Sequence, residues 1–331
     1  MNAIDARAAA RPELGGVERW ARELSARLPA LGAYRVLRPP RALAHRAGHA
    51  WEQAVLPLRA RGAGVLVCPA NLAPAAFPRC VVVLHDAAVL RHPEWYSGAY
   101  AAWQRRLLPI LAGRALRVIT VSEFSRAELA SLLGLKRVSV VPGGVDPAFS
   151  PGADAERARA ALGLARPYVL CVASHTARKN LAALVPAARA FAGEGVDVVV
   201  AGGHRPQFAA EPGLDALRLL GHVAEPLLPG LYAGATAFAL PSAYEGFGLP
   251  VLEAMAAGVP VVASDVTALP ETCGGAAVLV PPDGDAVRDA LLTLLGDAGA
   301  RDRLRAAGLA RAAGFSWDAT ARGVDAVVRA V

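Results

Sequence analysis

Short apolar runs alternate with stretches of helical periodicity along most of the chain. Val-rich apolar runs predict buried strands at 64–68 and 81–84, with further strands expected at 118–121 and 138–141, a short stub at 3–5 and a second strand at 34–37. Val17, Trp20, Leu24 and Leu28 share a helix face running up to Pro29 and Gly32. Residues 96–115 form a second helix around Trp103, Leu107, Leu108, Ile110 and Leu111, with Pro109 expected to bend it. Ser122, with Ser125 or Glu123, supplies the capping chemistry for a third. After a Pro/Gly/Asp-bearing hinge over 147–167 the alternation restarts. Strands are expected at 168–173, 196–201, 217–220, 236–240, 260–263 and 277–280, and helices at 179–191 and 286–295. Residues 316–331 close the chain as a helix with Trp317, Val324, Val327 and Val328 on one stripe. Strand–helix alternation of this kind predicts α/β architecture with parallel, doubly wound sheets. The domains read as 1–150 and 151–315, followed by the helix 316–331. Residues 39–61 are basic and irregular, contain His45, His49 and Trp51, and receive no element.

One corner stands out, from Phe238 to Ser264. A buried strand stops at Pro241-Ser242 and runs into the loop Tyr244-Glu245-Gly246-Phe247-Gly248. Pro250 suits the first position of a helix, where a missing N–H costs nothing. Gly258 and Pro260 end that helix before the next strand. Glu245 falls in the loop and Glu253 in the expected first helical turn. Free amides at a helix start attract phosphate, and Gly246 and Gly248 let a ligand approach the backbone. A carboxylate accepts paired hydrogen bonds from vicinal hydroxyls. In isolation, Glu253 could equally cap its helix and Glu245 be a solvated loop residue.

Composition narrows the classes. A length of 331 residues with 54% hydrophobic and 19% charged residues is globular, with material for two cores. No apolar run is long enough to span a bilayer, and the N-terminus lacks the apolar segment of a signal peptide. Cys68, Cys80, Cys171 and Cys273 are scattered, so they read as buried thiols in a reducing cytoplasm. The net charge of +7 suits an anionic partner. Basic and aromatic residues do not interleave as in RNA-binding modules, which argues against nucleic acid. Arg105, Arg106 and Arg114 make the 96–115 helix either a solvated basic face or a peripheral dock for anionic lipid at the inner membrane face.

Almost every basic residue is Arg; the lysines are Lys136 and Lys179 alone. Lys179 lies in Ser174-His175-Thr176-Ala177-Arg178-Lys179-Asn180, directly after a strand. Two cations at an expected helix start oppose the macrodipole, and an anionic ligand such as a diphosphate would explain them. Gly15 and Gly16 precede the first long helix, where their amides could face a phosphate or serve as an ordinary cap. His85-Asp86 ends a parallel strand, the edge where open α/β sheets bind ligands.

The Glu245–Glu253 corner and the Arg178-Lys179-Asn180 string resemble the retaining glycosyltransferases of family 4. His85-Asp86 with Arg91-His92-Pro93-Glu94 resembles its polysaccharide mannosyltransferase branch. That resemblance implies the GT-B fold: two Rossmann-like domains facing a central cleft, the first on the acceptor side, the second binding nucleotide-sugar, and the last helix crossing back. It implies a hexose, with mannose from GDP-mannose favoured, moved from a nucleoside-diphosphate sugar to a glycan, lipid-linked or small-molecule acceptor. Arg178 and Lys179 would grip the pyrophosphate, Glu245 the donor sugar, Glu253 the ribose, and His85 would lie near sugar and acceptor. Gly15, Gly16, Ser174, Gly246, Phe247, Gly248 and Leu249 would complete the donor site. The family usually has Gly where this chain has Ala173 and Ser174. No cofactor and no metal are expected, since Asp283-Gly284-Asp285 precedes a helix and Asp285 reads as its N-cap.

Alternatives are an epimerase-like relative that does not transfer to an acceptor, and a non-catalytic two-lobed binding protein. An NAD-type oxidoreductase is disfavoured, because no G-x-G-x-x-G follows a strand with an acidic residue in place.

Overall fold

A computed structural model describes residues 1–11, 15–40, 43, 48–203 and 213–331. Two six-stranded sheets carry the chain, and every strand pair in them is parallel. The first contains β1 (Asn2–Asp5), β2 (Tyr34–Leu37), β3 (Leu66–Cys68), β4 (Cys80–Val83), β5 (Arg117–Thr120) and β6 (Val138–Val140), in the order β2-β1-β3-β4-β5-β6. The second contains β7 (Tyr168–Val172), β8 (Asp197–Ala201), β9 (Arg218–Gly221), β10 (Ala237–Leu240), β11 (Val261–Ser264) and β12 (Val278–Val280), in the order β12-β11-β10-β7-β8-β9. All of β4 and β10 is buried, which is why these strands read as unbroken apolar runs. In the second sheet the order reverses between β7 and β10, so the loops leaving those two strands flank the switch point.

Two compact units result. One comprises Met1–Arg91, Ala99–Gly144 and Ser316–Val331; the other comprises His92–Gly98 and Val145–Phe315. The terminal helix Trp317–Arg329 belongs to the first unit. Ser316 caps it by accepting the Ala319 N–H at 3.2 Å. Its Trp317 indole meets Trp20 edge-on at 5.9 Å, and Asp325 accepts the Tyr34 hydroxyl at 2.8 Å. A Cβ on Gly144 would come within 2.1 Å of the Trp317 nitrogen, so only glycine lets this helix seat there.

Several local expectations change. Residues 39–61 are not wholly irregular: Gly48–Ala50, Trp51–Val55 and Leu56–Arg59 are helical, the middle one wound as a π-helix. Buried side chains hold this segment. Trp51 Nε1 donates to Asp5 Oδ1 at 3.0 Å, and Arg7 pairs with Glu52 at 2.8 Å. His45 lies outside the described residues, as does the middle of the expected glycine loop before the first helix. The first helix runs Gly16–Leu31 with Pro29 inside its last turn. The helix expected over 179–191 is broken: single turns at Ala177–Lys179 and Leu181–Leu184 precede the α-helix Val185–Phe191. At Asp283-Gly284-Asp285 the cap is Asp283, not Asp285; Asp283 Oδ1 accepts the N–H groups of Asp285 and Ala286 at 2.8 and 3.2 Å.

Candidate active site

The loops leaving β7 and β10 meet at the switch point of the second sheet. Lys179 Nζ donates to Glu245 Oε1 at 2.5 Å, and Ser242 Oγ donates to the same oxygen at 2.8 Å. Both charged residues are buried. Burial is the main influence on the Lys179 ammonium and pulls it below the usual lysine range, against the Glu245 charge. Burial pushes Glu245 up, but the Lys179 and Arg178 charges and the hydrogen bonds prevail and hold its carboxyl below the usual range. Glu245 is therefore an ionised carboxylate, and both of these side-chain bonds from described residues fall on its Oε1.

The backbone around this pair is unusual. Lys179 ends its turn because Asn180 adopts φ 51° and ψ 45°, a left-handed conformation that asparagine tolerates. Asn180 Nδ2 donates to the carbonyls of Pro241 at 3.0 Å and Pro282 at 2.8 Å, joining three strand-end loops. Ala243 N–H donates to the Arg178 carbonyl at 3.0 Å. Arg178 and Lys179 thus stand in a separate turn rather than at a helix N-terminus, and the macrodipole argument for them falls. Thr267, at φ 58°, accepts the Glu245 N–H on its Oγ1 at 3.0 Å. A β-branched residue in that region is strained, and here it fixes the backbone of the acidic residue.

Glu253 projects from the helix Leu249–Ala256 as its fifth residue rather than its fourth, because the helix begins at Leu249 and Pro250 is its second residue. It does not cap this helix; its Oε2 accepts the Tyr232 hydroxyl at 2.7 Å. Tyr232 is itself stacked on Phe238 and edge-on to Phe149. Gly248 precedes the helix at φ 101°, and a Cβ there would meet Leu269 Cδ2 at 2.8 Å. The Phe247 carbonyl accepts the Thr272 hydroxyl, and its ring contacts Phe315. Gly246, Phe247 and Leu249 are buried around this turn, and half-buried Ser174 follows the end of β7.

His85, Gly15 and Gly16 belong to the first unit. His85 follows β4 and bonds the Pro69 carbonyl through Nε2 at 2.8 Å. A carbonyl only accepts, so Nε2 carries the hydrogen and Nδ1 is the acceptor of the neutral ring. Burial lowers the imidazole below the usual histidine value, which favours that neutral form. Its ring meets Trp20 edge-on at 5.3 Å, and its backbone N–H donates to Asn71 Oδ1 at 2.7 Å. Gly15 corrects one expectation: its N–H already donates to Glu18 Oε2 at 3.0 Å, while Arg11 pairs with Glu18 Oε1 at 2.9 Å. Gly16 is the first residue of the helix. The amide of Gly15 therefore serves the helix cap rather than a ligand.

Asn180, Ser242, Thr267, Tyr232 and Asn71 were not among the predicted site residues. Asn180 could have been found, because Asn after two cations and before an apolar run signals a turn. Ser242 lies only three residues before Glu245, a local spacing, whereas Thr267, Tyr232 and Asn71 act across 14 to 22 residues through contacts that no local spacing encodes.

Two parallel doubly wound units are the GT-B architecture, and solved structures of that class align over the whole chain. Sucrose-phosphate synthase from Thermosynechococcus elongatus matches with TM-score 0.77 at 21% identity, over 99% of this chain and 98% of that one. Anabaena HepE, in a complex with UDP and glucose, matches with TM-score 0.76 at 18% identity over 100% of both chains. The family model described as "Glycosyl transferases group 1" matches residues 166–297, and "Glycosyltransferase Family 4" matches residues 58–149. The Escherichia coli O-antigen chain mannosyltransferase B is 33% identical over 269 residues, covering 74% of this chain and 68% of that protein. A D-inositol 3-phosphate glycosyltransferase of Nocardia farcinica is 38% identical over 242 residues, covering 65% of this chain and 52% of that protein. The chain belongs to glycosyltransferase family 4 and is a glycosyltransferase.

Proposed function

We propose that the protein is a retaining, metal-independent hexosyltransferase that takes its sugar from a nucleoside-diphosphate donor. The carrying observation is the buried Lys179–Glu245 pair beside Arg178, at the switch point where the Gly246–Gly248 loop enters the Glu253 helix. Arg178, Lys179 and the loop amides stabilise negative charge on the departing diphosphate. Glu245 Oε2 accepts from donor-sugar hydroxyls, and Glu253, braced by Tyr232, accepts from the ribose. The neutral His85 accepts from a sugar hydroxyl on Nδ1. In the transfer, the bond from the anomeric carbon to the diphosphate oxygen breaks. The acceptor oxygen bonds the same carbon from the same face, and its proton passes to the departing phosphate. No enzyme nucleophile is required.

Mannose from GDP-mannose is the favoured donor group. The support is the 33% identity to the O-antigen mannosyltransferase and a 35% identity to a Mycobacterium tuberculosis enzyme described as GDP-mannose-dependent. The acceptor is a glycan, a lipid-linked glycan or a small hydroxylated molecule. A cytoplasmic location with peripheral membrane contact is favoured by half-exposed Trp103 and exposed Ile110, which share the helix Gly98–Arg114 with exposed Arg105, Arg106 and Arg114. Among the described residues, no helix is long and apolar enough to cross a membrane.

The deciding experiment is a melting screen against UDP-, GDP-, ADP- and dTDP-sugars. A true donor at 100 times its Kd stabilises the fold by about 2.7 kcal/mol. Turnover of that donor in EDTA, with the anomeric configuration of the product read by NMR, then tests metal independence and retention. Absence of stabilisation by every sugar nucleotide refutes the reading.

A further inference from the structure

The segment His92–Gly98 lies in the first half of the sequence yet packs with the second unit. It carries one tight turn, Pro93–Trp95. His92 and Trp95 stack face to face, with centroids 3.9 Å apart and planes 17° from parallel. Both rings meet Tyr244 edge-on, at 5.9 and 6.3 Å. Glu94 Oε1 bonds His92 Nδ1 at 3.0 Å and sets the orientation of that ring. Tyr244 is buried, whereas His92 keeps 34% of its side chain exposed and Trp95 is half-buried.

An aromatic cluster that served packing alone would bury its rings, as Trp20, Trp51 and Trp317 do here. This one leaves both stacked rings partly in water, and it is anchored on Tyr244, the residue next to Glu245. A pyranose ring has an apolar face of C–H bonds and a rim of hydroxyls. The C–H face is drawn to the negative face of an aromatic ring, and the rim remains hydrated. One ring contact and one peptide bond separate the stack from the carboxylate assigned to the donor sugar, while Glu253 takes the nucleoside end. The next ring along from the donor sugar is the acceptor.

We propose that Trp95, held by His92 and Tyr244, is the platform on which an acceptor pyranose stacks, so that the enzyme glycosylates a sugar rather than a simple alcohol. This rests on the donor reading above, and the test separates the two. Transfer is measured with the donor found in the melting screen, using octyl glycopyranosides of mannose, glucose and galactose as acceptors and octanol as control. The variants are Trp95→Leu, which keeps apolar bulk without the ring, and Trp95→Phe, which restores a ring.

The expected result is that Trp95→Leu raises the KM of the best glycoside about tenfold, in the range of a single aromatic anchor. Donor KM and the slow hydrolysis of donor without acceptor stay within about twofold, inside the range of a change that touches neither. Trp95→Phe recovers most of the loss. Saturation-transfer NMR on the wild type, which needs no variant to fold, should mark the C–H face of the glycoside as the contacted side. An unchanged acceptor KM in Trp95→Leu overturns the inference alone. So does an equal fall of transfer and donor hydrolysis, or a wild type that hydrolyses donor but uses no glycoside. A wild type that no sugar nucleotide stabilises overturns the donor reading and this inference together.

Discussion

Lys179 and Glu245, 66 residues apart in sequence, meet at 2.5 Å in the interior of the second unit. The contact explains why a chain that uses Arg almost throughout has Lys here. A compact ammonium on a flexible stem can bond one carboxylate oxygen and still present positive charge to a phosphate, which a planar guanidinium does less readily.

Removing either partner should harm both stability and turnover. Lys179→Met or Glu245→Leu leaves an uncompensated buried charge and should cost about 3–5 kcal/mol in urea unfolding. The double variant should recover most of that stability. Its kcat/KM should stay about 10²–10³ below wild type, because leaving-group stabilisation is gone. A stable double variant with near-normal activity would assign the pair to folding alone.

At Asn180, two substitutions separate conformation from bonding. Asn180→Gly keeps the left-handed backbone and loses two hydrogen bonds, each worth about 1 kcal/mol. Asn180→Ala loses the same bonds and adds about 1–2 kcal/mol of left-handed strain. Unfolding free energies should therefore fall in the order wild type, Gly, Ala. If Ala matches Gly, the backbone conformation is not being held as described.

Glu52 sets a pH dependence of stability. Burial first, with help from Asp5, outweighs Arg7 and Arg11 and pushes its carboxyl up from 4.5 to about 7. The folded state then holds one proton more than the unfolded chain between those values. This contribution is complete below about 4.5 and is lost as pH rises through about 7. His85 acts oppositely: with its value lowered by burial, its neutral form stabilises the fold above the ordinary histidine value, and that is lost as pH falls. The melting curve of Glu52→Gln, compared with wild type across pH 5 to 8, should isolate the first slope. Parallel curves would show that Glu52 is ionised throughout.

His85 is held by Pro69, Asn71 and Trp20, and Trp20 in turn bears on Trp317. His85→Phe keeps a ring against Trp20 and removes the Nδ1 acceptor. It should lower kcat/KM about 10- to 100-fold, the scale of one unmet hydrogen bond. Between about pH 6.5 and 8 its rate profile should run parallel to wild type, because the imidazole is already neutral there. A profile that diverges in that interval would mean that His85 titrates during turnover.

The strands were legible in the sequence to within about two residues, because the central ones, such as β4 and β10, are buried on both faces and so continuously apolar. β2 falls on its expected bounds, 34–37. The corner bearing Glu245 and Glu253 was legible from its glycines and Pro250, whose conformational demands are local. The Lys179–Glu245 bond was not, since it joins loops brought together by strand order rather than by spacing. The break at Asn180 was hidden by apolar periodicity continuing through Leu181 and Leu184. Of the two readings open for the Gly15 amide, the helix cap matches its bond to Glu18, three residues on. The stretch around Trp51 and Glu52 was illegible because its helical pieces are only three to five residues long and depend on Asp5 and Arg7.

The first unit is assembled from three separate stretches of chain, the last being Ser316–Val331. On the ribosome, its sheet can form early while Trp20 still lacks the Trp317 edge. That face stays uncovered until the residues after Phe315 have been made. A polypeptide cut before Ser316 therefore lacks both the Trp317 edge on Trp20 and the Asp325 acceptor for the Tyr34 hydroxyl.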